Sequence, residues 1–405
     1  MQRSKASSTT RRPPVSFPRT GSRGWRSIQR ERSDGQTATA RNDDVNSLKT
    51  QDHSLCVAPM MDRTDRHCRY FMRLLAPDIR LYTEMLPAAA LIHGNAARLL
   101  AFDPAEHPVA LQLGGADADE LAVAARLGET AGYDEINLNI GCPSDRVQSG
   151  RFGACLMAEP DRVADCVAAM RDAVALPVTV KCRIGIDAED SFGFLSAFVE
   201  TVARAGCTVF IVHARKAILS GLSPKQNREV PPLRYDRVYR LKAAFPELTI
   251  VINGGIDGAR QVAGHLEHVD GVMLGREAYN NPGLLGTLQE TFLADGDWVA
   301  PSREAVLREF LPYVRARLAE GCRLHHMTRH ILGLYSGQPG ARRWRRFIAE
   351  RSHEPGVGCD VLTDSLDLMD HTSSSVSGTS GATSAGGSSG SGSIRPKSRG
   401  ATAAR

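Results

Sequence analysis

The chain has 405 residues and a hydrophobic fraction of 42%, enough to bury the core of one large domain with a smaller one beside it. Its net charge of +5 permits an acidic partner without demanding one, and no apolar run is long enough for a membrane-spanning helix. Nine cysteines, scattered and without a CxxC pair, point to a reduced, intracellular protein and exclude a disulfide framework or a zinc site.

Residues 1–30 carry Arg3, Lys5, Arg11, Arg12, Arg19, Arg23, Arg26 and Arg30, many Ser and Thr, and no acid. This is the composition of a disordered basic tail, of an organelle transit peptide, or of sequence upstream of the true start. Residues 1–50 are therefore set apart as an N-terminal extension. The expected compartment is the cytoplasm of a bacterium, with an organelle as the alternative raised by this extension.

From residue 51 to residue 285 one rhythm repeats: a short apolar run, a polar or Gly-marked turn, then a helix-like stretch. The runs are Ser54–Met60, Leu81–Leu86, Pro108–Leu113, Glu135–Ile140, Val178–Arg183, Val209–His213, Thr249–Ile252 and Gly271–Leu274. Ala118–Thr130, Asp161–Ala173 and Ser191–Ala205 have helical apolar spacing and lie between them. Near-continuous apolar strands alternating with helices predict a parallel sheet covered on both faces. Eight units predict a closed (β/α)₈ TIM barrel, with a doubly wound open sheet as the alternative. Beyond it, residues 286–371 read as a small helical domain, with helices over 302–320 and 323–350 broken at Gly321 and at the Gly337–Gly340 turn. Residues 372–405 are Ser/Gly-rich and read as a flexible tail.

In such a barrel, chemistry collects at the C-terminal strand ends. There the sequence places Pro59, Met60 and Met61, then Gln112, then Asn139 with Cys142, then Lys181 and Arg183, then His213 and Arg215, then Asn253, Gly254 and Gly255, and finally Gly275 and Arg276. Any one of these polar groups could be structural, but together they converge on one mouth. The glycines after the seventh and eighth runs let backbone amides approach an anion, and Arg276 adds a fork of donors suited to phosphate. No GxGxxG follows the first run, so a Rossmann dinucleotide site is not indicated. A phosphate handle, a lysine and a histidine at one mouth suit FMN. Lys181 is placed to steady the reduced ring, Gln112 to bond its pyrimidine edge, and Pro59, Met60 and Met61 to line its face.

The strings Ala58-Pro59-Met60-Met61-Asp62 and Thr64-Asp65-Arg66-His67-Cys68-Arg69 resemble the opening of the tRNA-dihydrouridine synthases. The more specific resemblance runs from Asn137 through Gly141-Cys142-Pro143-Ser144-Asp145-Arg146-Val147-Gln148. His213-Ala214-Arg215-Lys216-Ala217, Gly221 to Glu229, His326-Met327-Thr328-Arg329-His330 and Gly340-Ala341-Arg342 are similar to the subfamily called dihydrouridine synthase A. That subfamily is associated with the tRNA D-loop uridines at positions 20 and 20a. The resemblance covers residues 52–368. It implies a chain that reduces uridine to 5,6-dihydrouridine with FMN, and NADPH as electron donor; the chain is expected to be a monomer. It places the FMN-binding residues at Pro59, Met60, Met61, Gln112, Lys181, His213, Asn253, Gly254, Gly255, Gly275 and Arg276, and the catalytic residue at Cys142. Asn139, Lys225 and Arg228 fall at positions linked to handling tRNA, with Arg329 and Arg342 as candidates for the same. Two departures are visible: Arg63 stands where Trp is usual, and Pro87-Ala88 where Thr is common.

Saturating the C5–C6 bond of uracil needs a hydride at one carbon and a proton at the other. A free thiol, with a pKa of about 8.5, is mostly protonated at neutral pH and suits the second task. The remaining cysteines lie in helix- or strand-like contexts and read as structural. The target uridine must leave its stack, which calls for a basic surface beside the mouth. Arg323, Arg329, Arg342, Arg343, Arg345 and Arg346 fall in a stretch without an acid, which suits phosphate contacts, while Trp344 reads as core. Two other classes stay open: an FMN barrel enzyme acting on a small molecule, and a non-catalytic RNA-binding module.

Overall fold

The computed structural model describes residues 52–376 apart from 145, 146, 148, 149 and 295. The basic extension and the chain from residue 377 onward lie outside the described residues. Eight of the strands form a ring: β1 (Leu55–Val57), β2 (Arg80–Tyr82), β3 (Val109–Gly114), β4 (Glu135–Ile140), β5 (Val178–Arg183), β6 (Val209–His213), β7 (Thr249–Asn253) and β8 (Gly271–Leu274). Each pairs in parallel with the next, and β1 pairs with β8 through Leu55↔Val272. That last pairing closes the sheet and excludes the open doubly wound alternative. A two-residue strand, Leu86–Pro87, pairs with the end of β3.

Two apolar clusters follow from strand alternation. Leu111, Ile136, Leu138, Val180, Phe210, Val212, Ile250 and Ile252 point outward and join the large cluster shared with the helices. Cys56, Ala58, Tyr82, Ala110, Val209, Ile211, Val251 and Met273 point inward and form a separate cluster on the barrel axis. The helices are set against the ring by ordinary local rules. Ala118–Ala131 is started by Asp117, whose side chain accepts from Glu120 N, and stopped by Gly132 at φ 95°. Within it, a Cβ on Gly128 would come within 2.6 Å of Leu111 Cδ2 and 2.8 Å of Ile136 Cδ1, so any larger residue would force these two side chains to move. Ser191 caps Phe192–Arg204 in the same way as Asp117.

Strands β4 and β5 depart from the near-continuous apolar reading. Glu135, Asn137 and Asn139 alternate with Ile136, Leu138 and Ile140, and Thr179, Lys181 and Arg183 with Val178, Val180 and Cys182. All three polar residues of β4, with Thr179 and Arg183, are buried.

Beyond the ring, Arg303–Ala319 packs on the barrel helix Arg66–Leu75, where Tyr313 stacks on Tyr70 at 3.9 Å and Phe310 meets Phe71 edge-on at 5.6 Å. The helix predicted over 323–350 is interrupted well before Gly337. Leu324–Thr328 gives way to turns, and Ala341–Arg351 begins after Gly340 at φ 81°. Within these turns Gly333 packs closely, since a Cβ there would stand 2.4 Å from Asn280 O. A last helix, Asp360–Val376, buries Val361, Leu362, Ser365 and Leu366 and runs past residue 371, although composition alone starts a tail at 372. No described helix is long and apolar enough to cross a membrane.

Candidate active site

The C-terminal strand ends bring most of the sequence-selected residues to one mouth. Register places Gln112 beside Asn137, Asn139 beside Lys181, Arg183 beside His213, and His213 beside Asn253. Lys181 Nζ donates to Asn253 Oδ1 at 3.1 Å, and Asn253 Nδ2 donates to Met273 O at 2.8 Å. Burial, and then the Arg183 charge, pull Lys181 down to about 8. Burial, followed by the charges of Arg183 and Lys181, pushes His213 well below the usual imidazole range, so its ring is neutral at neutral pH.

The loop after β4 is held at several points. Asn139 Oδ1 accepts from Gly141 N at 3.1 Å and from Cys142 N at 3.0 Å. Cys142 O accepts from Ala154 N at 2.9 Å. Gly153 lies beneath at φ 77°, where a Cβ would come within 2.6 Å of that same carbonyl. Cys142 itself is half-buried, and its thiol donates to Ser144 Oγ at 3.4 Å. Asp145, Arg146 and Gln148 of this motif lie outside the described residues.

Arg183 is a larger part of the site than its place on a strand predicts. Its Nε donates to Gly141 O at 3.0 Å, and its Nη1 to Lys216 O at 3.3 Å and Asn227 O at 3.1 Å. One buried guanidinium thus ties together the loops after β4 and β6 and the turn Gln226–Arg228. The available signal was a charged residue at the inward phase of an apolar strand.

After β7, Gly254 and Gly255 have φ of 124° and 70°. A Cβ on Gly254 would stand 2.8 Å from His213 Cδ2, and one on Gly255 would stand 2.6 Å from Leu233 Cδ1. Tyr235 OH donates to Gly254 O at 2.7 Å and holds this turn. Among the described residues, a Cβ on Gly275 would meet nothing within 4 Å beyond its chain neighbours, so open space lies before the loop after β8. Arg276 beside it is exposed and paired with Glu229 at 2.8 Å.

At the β1 end, Thr64 closes the loop by accepting from Met60 N at 2.9 Å, and Met61 is 57% exposed. Arg63, the departure from Trp, lies over the Tyr279 ring at 4.8 Å. Pro87 precedes the helix Ala88–His93, in which Ala88 is buried. Lys225 and Arg228 are exposed on the turn after β6, and the charges of Arg276 and Arg63 lie near Arg228.

The arginine-rich stretch is less uniform than its sequence implies. Arg329 is bridged to Asp65 at 2.6 Å, 264 residues earlier in the chain. Although burial opposes it, His330 and Arg329 hold Asp65 well below the usual carboxylate range. Arg346 pairs with Glu350 at 2.8 Å, and Arg345 Nε donates to Leu332 O. Arg323, Arg342 and Arg343 are exposed, and Trp344 is fully buried against Tyr335. Cys155, Cys322 and Cys359 are half-buried, unlike Cys56, Cys68, Cys166, Cys182 and Cys207, which are buried.

The family model described as dihydrouridine synthase matches residues 56–368. The chain is 58% identical over 314 residues to the tRNA-dihydrouridine(20/20a) synthase of Yersinia pestis, covering 77% of this chain and 90% of that protein. It is 57% identical over 314 residues to the protein of that name from Escherichia coli K12, with the same coverage. To its namesake in Shewanella oneidensis it is 55% identical over 318 residues, covering 78% of this chain and 94% of that one. The chain belongs to the dihydrouridine synthase family.

Proposed function

We propose that this chain reduces uridine to 5,6-dihydrouridine in the D-loop of tRNA, at positions 20 and 20a, with FMN as its bound cofactor and NADPH as electron donor. The observation that carries the reading is the thiol of Cys142. Its backbone is held at the barrel mouth by Asn139 and Ala154, on the loop after β4, next to the strand that carries Lys181.

The donor set fits a phosphorylated flavin. The turn of Gly254 and Gly255, the open space before Gly275, and Arg276 suit its phosphate, and Lys181, His213, Asn253 and Gln112 supply polar contacts for its ring. Pro59, Met60 and Met61 stand at the edge of the mouth to line the ring face. When bound and reduced, FMN supplies a hydride to uracil C6. As the C5–C6 π pair is drawn to C5, the Cys142 thiol gives that carbon its proton, and the resulting thiolate is reprotonated from solvent. Lys181, cationic below about 8, stabilises negative charge beside it, and neutral His213 offers one donor and one acceptor. Asn139, Lys225 and Arg228 stand around the thiol loop to receive the flipped nucleotide, and Arg329 and Arg342 extend that surface onto the C-terminal helices.

The test is to incubate the purified chain with NADPH and unmodified tRNA and to measure dihydrouridine by mass spectrometry, beside Cys142→Ala. The expected result is D-loop dihydrouridine, formed on the order of 10²–10⁴-fold more slowly by the variant. A yellow protein that oxidises NADPH and leaves tRNA unchanged overturns the reading in favour of a small-molecule flavin reductase.

A further inference from the structure

Below the mouth, the barrel axis holds a continuous line of hydrogen bonds. Asn139 Nδ2 donates to Gln112 Oε1 at 2.8 Å, and Gln112 Nε2 donates to Asn137 Oδ1 at 2.7 Å. Asn137 Nδ2 donates to Thr179 Oγ1 at 2.8 Å, and Thr179 Oγ1 donates to Glu135 Oε1 at 2.5 Å. All five side chains are buried.

Both ends of the line impose the same direction. At the mouth, the amides of Gly141 and Cys142 can only donate, so the oxygen of Asn139 must face them and its NH₂ must face Gln112. At the far end, Glu135 also accepts from Tyr82 OH at 2.9 Å and faces His53 at 2.7 Å and Arg80 at 3.3 Å. Although burial opposes it, His53 and Arg80, with the Thr179 hydroxyl, hold its carboxyl down to about 2, so it is ionised and can only accept. A reversed amide anywhere between would set donor against donor or acceptor against acceptor in a space closed to water.

We infer that Thr179 and Asn137 are positioning residues: they carry the acceptor character of Glu135 up the barrel and thereby fix which end of the Gln112 and Asn139 amides faces the reaction. The oxygen of Asn139 is occupied by two backbone amides, and each NH₂ has one hydrogen left after its bond in the line. Each of the two side chains therefore keeps one N–H donor that the line does not use, suited to a carbonyl oxygen of the flavin ring or of uracil. Neither Thr179 nor Asn137 reaches the mouth itself, and a sequence pattern alone marks both as ordinary strand residues. This inference rests on the reading that the flavin sits over Gln112.

The experiment titrates FMN into flavin-free wild type, Thr179→Val, Thr179→Ser and Tyr82→Phe, and records affinity, the absorption bands of the bound flavin, and Tm. Thr179→Val keeps the shape and deletes the hydroxyl. It is expected to weaken FMN by about tenfold and shift the flavin bands, with Thr179→Ser restoring both. Tyr82→Phe removes a donor to Glu135 outside the line, and is expected to lower Tm while leaving FMN affinity within about twofold. A Thr179→Val protein with lowered Tm but wild-type affinity and spectrum overturns the inference, because Thr179 then only packs. If Thr179→Val does not fold, Asn137→Leu breaks the line one link nearer the mouth and is read in the same way. A wild-type chain that binds no FMN overturns the functional reading, and the inference with it.

Discussion

Lys181, on the fifth strand of the barrel, donates a 3.1 Å hydrogen bond to Asn253 on the seventh, spanning the strand that carries His213. Burial, and then Arg183, bring this ammonium down to about 8 from 10.5. Its charge is therefore lost as pH rises through about 8. FMN affinity of the flavin-free chain is expected to fall above that pH by about tenfold per unit, and Lys181→Met is expected to bind weakly at every pH. The sign for stability is opposite, because the unfolded chain holds this proton more tightly, so folding gains from this group between about 8 and 10.5. Fluorescence titrations across that range check the affinity. A flat wild-type profile removes Lys181 from the flavin site.

Glu135 makes the barrel floor pH-sensitive. Its folded value of about 2 lies below the 4.5 of a free carboxyl, so the stability it contributes is fully present above 4.5 and is lost as pH falls towards 2. That displacement corresponds to something on the order of 3 kcal/mol. Glu135→Gln leaves buried Arg80 without its counter-charge and is expected to cost about 3–5 kcal/mol at neutral pH, while flattening the acid limb. Urea midpoints of both proteins at neutral and acidic pH read the two effects. Parallel acid limbs would mean that other carboxylates dominate.

Trp344 is fully buried against Tyr335, so its work is packing. Trp344→Ala is expected to lose about 3–5 kcal/mol in chemical denaturation. Trp344→Phe is expected to keep tRNA affinity within about twofold, as expected for a side chain that makes no contact with a base. A large affinity loss in a well-folded Phe variant would assign the indole to the RNA.

The arginines of Ala341–Arg351 should not contribute equally. Arg342 and Arg343 are exposed, whereas Arg346 already faces Glu350. If the first two meet phosphates, Arg342→Ala and Arg343→Ala should each lower the slope of log affinity for tRNA against log salt by about 1, with Arg346→Ala changing it little. Filter-binding at several salt concentrations measures this directly. Equal slopes for all three variants would place the RNA elsewhere.

The sequence by itself determined the ring and its mouth. Eight apolar runs spaced by helical stretches need only local periodicity to be legible, and each reappears as a strand with bounds shifted by a few residues. The same holds for Lys181, His213 and Cys142, because polar residues at strand ends stand out against an apolar background. What tertiary structure alone decided is how charges and amides find partners. Asp65 meets Arg329 from 264 residues away, and Arg183 gathers three carbonyls from the loops after β4 and β6. The period of two along β4 and β5 is visible in their residues, yet nothing local says that Asn137 and Thr179 join into one line with Glu135. The early end of Leu324–Thr328 was likewise not legible, and neither was the close approach of Gly333 to the backbone of Asn280 in the turns that follow. Hydrophobic periodicity is a property of neighbours in the chain, whereas a buried polar group is satisfied by whatever the closed barrel brings within about 3 Å.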